Sequence, residues 1–502
     1  MSHASASPQG AAAGGGEYRS PHHNKAIALA VAAAVGGFLF GFDSSVINGA
    51  VDAFGVHFDI GSALQGFAVA IALLGCAVGA WAGGRLADRW GRPRVMFLGA
   101  VLFFVSSILT GLAWSIWDFM LWRTLAGIGI GIASVIAPAY IAEIAPAALR
   151  GRLGSLQQLA ITLGIFAALL SDQLIATSTD PVEGQLAASA ELWGLEAWRW
   201  MFIVAVIPAT VYGILALRIP ESPRYLVSMR REPEALAVLT DVLGPDEDPQ
   251  ARIDEIKRTI AEDKEHAQHA SLKKPNGKGL LPVVWVGILL SVFQQFVGIN
   301  VIFYYSNTLW QAVGFDESDS FMVSTITSIT NVAVTFIAIA LIDKIGRRPL
   351  LLIGSAGMAA SLATMAVAFT QSTGSGDDLT LTGSWGTIAL VAANAFVVFF
   401  GATWGPLVWV LLGEMFPNRI RAAALGVAAA AQWIANFLIT ISFPPMLDRF
   451  GASIPYLMYA IFATLSFFFT LWKVPETKGV QLEDMEGVKV VRGGRRGSAT
   501  PV

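Results

Sequence analysis

Twelve apolar runs of roughly 20 residues punctuate this 502-residue chain, separated by short polar segments. They fall near 26–48, 65–86, 95–115, 117–141, 153–174, 197–218, 279–309, 320–342, 349–370, 384–412, 421–444 and 453–473. As a helix, each can cross ~30 Å of hydrocarbon. None alternates with the period of two that a membrane β-barrel needs. The pattern predicts an all-α membrane protein of twelve spanning helices. One longer polar stretch, 219–278, keeps helical periodicity and is too polar to span. It divides the chain into a disordered tail (1–25), a six-helix bundle (26–218), linker helices (219–278), a second bundle (279–473) and a C-terminal tail (474–502).

The polar segments alternate in sign. Lys and Arg collect in one set of loops, and the other set carries Asp59, Asp118, Asp172, Asp180, Glu183, Asp316, Glu317, Asp319, Asp377 and Asp378. The positive-inside rule places the basic loops, the linker and both termini in the cytoplasm of a multi-pass protein of the cell membrane. Composition adds little: 55% of residues are hydrophobic and 14% charged, a balance no soluble chain of this size has. The single cysteine, Cys76, excludes an internal disulfide and a cysteine-based metal site, and no nucleic-acid partner, metal or cofactor is expected. The expected surroundings are the lipid bilayer, with the chain as a monomer.

Three motifs occur twice, in the same order. Asp88-Arg-Trp-Gly91-Arg92 follows the second span and Asp343-Lys-Ile-Gly346-Arg347-Arg348 the eighth. Glu143-x2-Pro146-x3-Arg150 follows the fourth and Glu414-x2-Pro417-x3-Arg421 the tenth. Pro220-Glu221-x2-Arg224 ends the sixth, and Pro475-Glu476 ends the twelfth. Parallel six-span halves around a midplane cavity describe a rocking transporter. Asp88 and Asp343 are expected to accept from backbone amides at helix starts. Arg92, Arg347 and Arg348 are expected to reach Glu143 or Glu414 of the next bundle. With Arg150, Glu221, Arg224, Arg421 and Glu476 they would form a charge clasp at the cytoplasmic face.

Within the spans, ionisable residues are rare and expensive. Asp43 lies in the first and Arg123 in the fourth, an acid and a base in neighbouring helices that suggest a proton-binding pair. The amides Gln158, Gln294, Gln295, Asn300, Asn331 and Gln432, with Trp409 and Trp433, are what a ring of hydroxyls with two weakly apolar faces requires. Taken singly, each amide is equally well explained as interhelical glue. Gly298, between Gln295 and Asn300, permits a break that would aim both at one cavity.

These motifs carry a resemblance over about Lys25 to Glu486. Arg123-x3-Gly127-x-Gly129-x-Gly131-x6-Pro138-x-Tyr140-x2-Glu143, Pro220-Glu-Ser-Pro-Arg224, Gln294-Gln295-x2-Gly298-x-Asn300-x3-Tyr304-Tyr305 and Pro475-Glu-Thr-Lys-Gly479 resemble the sugar porters of the major facilitator superfamily. These include bacterial proton–sugar symporters and facilitative glucose transporters. In the first basic loop Arg94 stands in for the consecutive bases usual there. The resemblance implies that the amides and tryptophans above contact sugar, that Phe40 lines the same cavity, and that Tyr304 and Tyr305 form its extracellular gate. It implies proton coupling through Asp43, where passive members carry an uncharged residue. Ile165, two turns after Gln158, is apolar as in glucose transporters, which puts glucose ahead of galactose, xylose and arabinose. The reading is therefore proton-coupled monosaccharide symport, with a passive uniporter and a non-transporting sensor as alternatives. Neither an enzyme's catalytic cluster nor a channel's filter is evident.

Overall fold

The computed structural model describes residues 21–146, 150–243, 248–269, 272, 279–373, 380–417 and 420–477. The expected tails outside these ranges lie beyond the described residues.

All twelve apolar runs are helices. The spans are Asn24–His57, Ser62–Trp90, Arg92–Gly111, Ile116–Ile144, Leu153–Thr177 and Ala197–Arg218 in the first half. In the second they are Pro282–Ala312, Glu317–Ala338, Arg347–Phe369, Trp385–Met415, Ala423–Phe450 and Ser453–Lys473. The first span runs well past its predicted end, because Asn48 and Asp52 find hydrogen-bond partners that let polar residues continue the helix. The fifth corrects one assignment: Asp172, expected in an acidic loop, is wholly buried inside the helix.

Close helix contact explains the glycines of the fourth span. A Cβ on Gly127 would sit 2.0 Å from the Ala72 carbonyl oxygen, and one on Gly131 would sit 2.2 Å from that of Cys76. Only glycine lets the second and fourth spans approach so closely.

The linker folds as three helices, Pro223–Ser228, Glu232–Val242 and Pro249–His269. Leu226, Ala235, Leu239, Leu243, Ile253 and Ile256 make a small core of their own. Lys25 at the foot of the first span pairs with Asp241 at 2.6 Å, tying the linker to the first half.

The halves meet toward the face bearing the acidic loops. There Asn48 Nδ2 donates to Ser306 Oγ at 2.9 Å, and Asn307 N donates to Asn48 Oδ1 at 3.0 Å. Thr308 Oγ1 bonds Asp52 at 2.9 Å and Ser62 Oγ bonds Asp448 at 3.1 Å. Glu317 accepts from the amides of Ala187 and Ala188. Gly66 lies so close to the eleventh span that an added Cβ would be 2.7 Å from the Ile441 oxygen. Toward the basic face the picture changes. Residues 154–161 of the fifth span and 429–434 of the eleventh include no buried residue. The halves are bonded to one another at the acidic face, whereas toward the basic face these stretches of the fifth and eleventh spans are less covered.

Candidate functional site

Two groups of residues meet near the centre of the molecule. In the first half, Arg123 Nη1 donates to Asp43 Oδ1 at 2.5 Å, with both side chains buried. The guanidinium also lies 5.5 Å above the Phe202 ring. A small cavity touches this pair, lined by Phe40, Asp43, Ser44, Cys76 and Arg123 from the first half and by Tyr304 from the second. Phe40 links it to the other group, its ring edge-to-face with Trp433 across the halves at 5.8 Å.

In the second half the seventh span breaks where Gly298 adopts φ +83, so its helix stops at Phe296 and restarts at Ile299. The break folds Asn300 back onto Gln295: Asn300 Nδ2 donates to Gln295 Oε1 at 2.5 Å. Gln295 Nε2 in turn donates to Gln294 Oε1 at 3.4 Å. Gln294 Nε2 donates to the carbonyls of Trp404 and Gly405 at 3.0 and 3.1 Å. Those carbonyls lie where a π-helical turn, Phe400–Trp404, passes into the α-helix Gly405–Met415 of the tenth span; such turns recur at functional sites. Asn331 of the eighth span faces the same turn, its Oδ1 3.3 Å from where a Cβ on Gly401 would stand. The result is a continuous chain of amides able both to donate and to accept.

Gln158, Gln432 and Trp433 are partly exposed on the fifth and eleventh spans, in the less covered stretches toward the basic face, and Gln432 Oε1 has no partner. Trp409 is 45% exposed, a turn beyond Gly405. Of the two tyrosines, Tyr304 faces the small cavity and is bonded to the Asn436 side chain. Tyr305 sits at a kink and donates to the Thr440 carbonyl at 3.1 Å. Asn394 bonds Thr330 between the tenth and eighth spans, as interhelical glue would.

The charge clasp is present, but its pairing differs from the expectation. Arg92 makes a two-pronged bond to Glu143 (3.0 and 2.9 Å), and Arg347 makes the same bond to Glu414 (3.1 and 2.8 Å). Each pair lies inside one half instead of bridging two. Nor does Asp88 accept from a helix start; it is exposed, and Arg92 Nη1 reaches back to its Oδ1 at 3.2 Å. That task belongs to the third motif. Glu221 accepts from the Arg92 amide at 2.9 Å, and Glu476 from the amides of Arg347 and Arg348 at 3.0 and 3.1 Å. A carboxylate there meets the positive end of the helix dipole. The reason is local: Gly91 and Gly346, at φ +91 and +103, leave no Cβ between the helix start and the incoming carboxylate. Partial burial nevertheless lifts Glu221 above the usual carboxylate range. Ser222 and Thr477 each donate to the clasp glutamate at 2.5 Å, two partners the sequence reading missed. Arg421 donates to the Phe416 carbonyl, and Arg224 opens the first linker helix. The side chains of Arg150 and Asp343 lie outside the described residues.

Because the two clasps belong to separate halves, Glu143→Gln and Glu414→Gln should each lower stability by roughly 1–3 kcal/mol. Together their effects should add to within about 0.5 kcal/mol, read as thermal melting of the purified protein. A large coupling would mean that the clasps hold the halves to one another.

Residues 29–488 match the family described as Sugar (and other) transporter. A glucose transport protein of Synechocystis sp. is 55% identical over 453 residues, 90% of this chain and 95% of its own length. A D-xylose-proton symporter of Escherichia coli is 35% identical, covering 92% and 95%. Among solved structures, the inward open conformation of the xylose transporter XylE from E. coli superposes with a TM-score of 0.77 at 33% identity. It covers 92% of this chain and 99% of that one. XylE bound to 6-bromo-6-deoxy-D-glucose gives 0.74 at 32% identity, covering 92% and 99%. With twelve spans, a doubled motif set and likeness along nearly its whole length, the chain belongs to the sugar transporter family of the major facilitator superfamily.

Proposed function

We propose that the protein is a proton-coupled symporter of a monosaccharide, glucose first, working by alternating access with its basic face in the cytoplasm. The observation that carries the reading is the buried Asp43–Arg123 pair opening onto a cavity shared with Phe40 and Tyr304. Coupling ion and sugar then sense one another through the same wall. Gln294, Gln295, Asn300 and Asn331 supply donors and acceptors from the second half, and Gln158 supplies an amide from the first. Phe40, Trp409 and Trp433 cover the apolar faces of the ring.

In the proposed cycle, the outward-open carrier holds a proton on Asp43, released from Arg123. Sugar binds the amides and the halves close over it. Opening at the basic face lets sugar and proton leave, and Asp43 ionises and pairs with Arg123. The empty carrier returns in the paired form. The structure, with its short Asp43–Arg123 contact and its halves bonded at the acidic face, fits the stage after release. Tyr304 and Tyr305 act as the gate, because both sit just beyond the Gly298 break, beside the seam.

The test is uptake of labelled glucose by proteoliposomes with and without an inward proton gradient. Accumulation above the outside concentration, only when the gradient is present, is the expected result. Equilibration without accumulation would make the protein a facilitator. No glucose flux, with flux of a pentose, would reassign the substrate.

A further inference from the structure

Asp172 has no part in the cycle just described, yet it is 0% exposed in the fifth span. Its Oδ2 accepts from the Gly49 amide at 3.3 Å, and its Oδ1 has no partner. Gly49 makes this contact possible, since a Cβ there would lie 2.7 Å from the Asp172 Cβ. The first and fifth spans thus touch backbone to side chain at this point.

The charged groups toward this end of the elements packed against it are engaged elsewhere, apart from Asp319, which is itself an acid. On the first span Asp43 pairs with Arg123, Asp52 holds Thr308, and His57 meets Glu196. On the fourth, Arg123 is committed to Asp43 and Asp118 to Trp122. On the sixth, Arg199 bonds Glu196 and the carbonyls of Gly111 and Ala113. On the eighth, Glu317 holds the amides of Ala187 and Ala188, and Asp319 stands at the same helix start. Among the described residues no cation lies within ion-pair distance of Asp172. An ionised carboxylate there would have one long hydrogen bond in place of its water shell, and a buried carboxyl in that position discharges by holding a proton.

Its place in the fold gives that proton a role. One turn earlier, the Leu169 carbonyl meets Thr325 Oγ1 of the eighth span at 3.5 Å, across the seam between the halves. Further along, the Glu317 bonds cross the same seam. Parting the fifth and eighth spans admits water beside Asp172.

We propose that Asp172 is a second proton-binding site, distinct from Asp43, which takes up a proton as the acidic face closes and returns it to the same side as that face opens. The proton is never carried across, so the ratio of protons to sugar is unchanged. Its effect is on the gate: closure becomes easier as the pH on that side falls. The link to gate movement rests on the alternating-access reading; the protonation itself does not.

Two measurements on the reconstituted full chain test this. Infrared spectra at neutral pH should show the carbonyl stretch of a protonated carboxyl that survives in Asp43→Asn and disappears in Asp172→Asn. An unchanged band in Asp172→Asn overturns the site, whatever the protein transports. The second measurement places a cysteine at Thr325 in a Cys76→Ala background. Its labelling by a membrane-impermeant maleimide, divided by that of a cysteine at exposed Val182, corrects for thiol ionisation. The ratio should rise several-fold from acid to alkaline pH and stay flat when Asp172→Asn is added. An equal rise with and without Asp172 overturns the gating role. Should Asn at this position prevent folding, Asp172→Ser serves the same comparison.

Discussion

Asp43→Asn is expected to abolish gradient-driven accumulation while leaving sugar exchange intact. A gradient of one pH unit is worth about 1.4 kcal/mol, so one proton per sugar supports roughly tenfold accumulation per unit. In the variant the gradient should no longer drive any accumulation. The asparagine mimics a carboxyl that holds its proton permanently. Loaded carriers can still shuttle in either direction, so exchange of labelled for unlabelled sugar should persist. The empty return leg, which needs a negative charge to satisfy Arg123, should stall. Net uptake and counterflow in the same vesicles separate these two legs. Uphill uptake equal to the native protein's would show that the Asp43–Arg123 pair is purely structural.

The second large effect concerns stability, and it is asymmetric across the same pair. Arg123 and Asp43 are both buried, in contact at 2.5 Å. Removing one member of such a pair commonly costs about 3–5 kcal/mol, because the survivor is left charged without a partner. The two survivors differ, however. A stranded aspartate can discharge by taking up a proton, whereas a guanidinium stays charged at any ordinary pH. Asp43→Asn should therefore lower the melting temperature more than Arg123→Leu. The double variant should melt above Asp43→Asn alone, since no buried charge remains. Transport should show the same non-additivity: Arg123→Leu should resemble Asp43→Asn, and combining them should do little further harm. A double variant less stable than either parent would mean that the two side chains act independently.

Much of this architecture was legible because its signals are large. A span needs some 20 apolar residues in a row, and few other demands on a chain look like that. The doubled Gly91-Arg92 and Gly346-Arg347 motifs were equally plain, and so was the break at Gly298. What the motifs did not disclose was direction. Arg92 and Glu143 stand 51 positions apart, and spacing alone cannot say whether an arginine turns toward its own half or the next. Nor could it show that Glu221, not Asp88, meets the start of the third span, because that depends on the backbone turn at Gly91. Asp172 was lost for a different reason. It lies near the end of its apolar run, where a charge ordinarily marks the membrane boundary, and only packing against Gly49 reveals that it is interior. The polar seam was invisible too, since Asn48, Ser306, Asn307 and Ser324 belong to no motif and gain meaning only when the halves are brought together.

That seam bears on how fast such a machine can run. Besides the carboxylates of Asp52, Asp448 and Glu317, which accept from neutral donors, Asn48 closes it with neutral hydrogen bonds to Ser306 and the Asn307 amide, which Ser324 supports from within the second half. Each neutral bond is worth only about 0.5–1.5 kcal/mol net, because water offers nearly the same bond when it parts. Ionic bridges would have made opening sensitive to the salinity outside, and a greasy joint would have resisted wetting. A joint whose broken halves are at once rehydrated has open and shut forms of similar energy. A weakly held solute can then tip the balance, so a modest affinity is enough for rapid turnover.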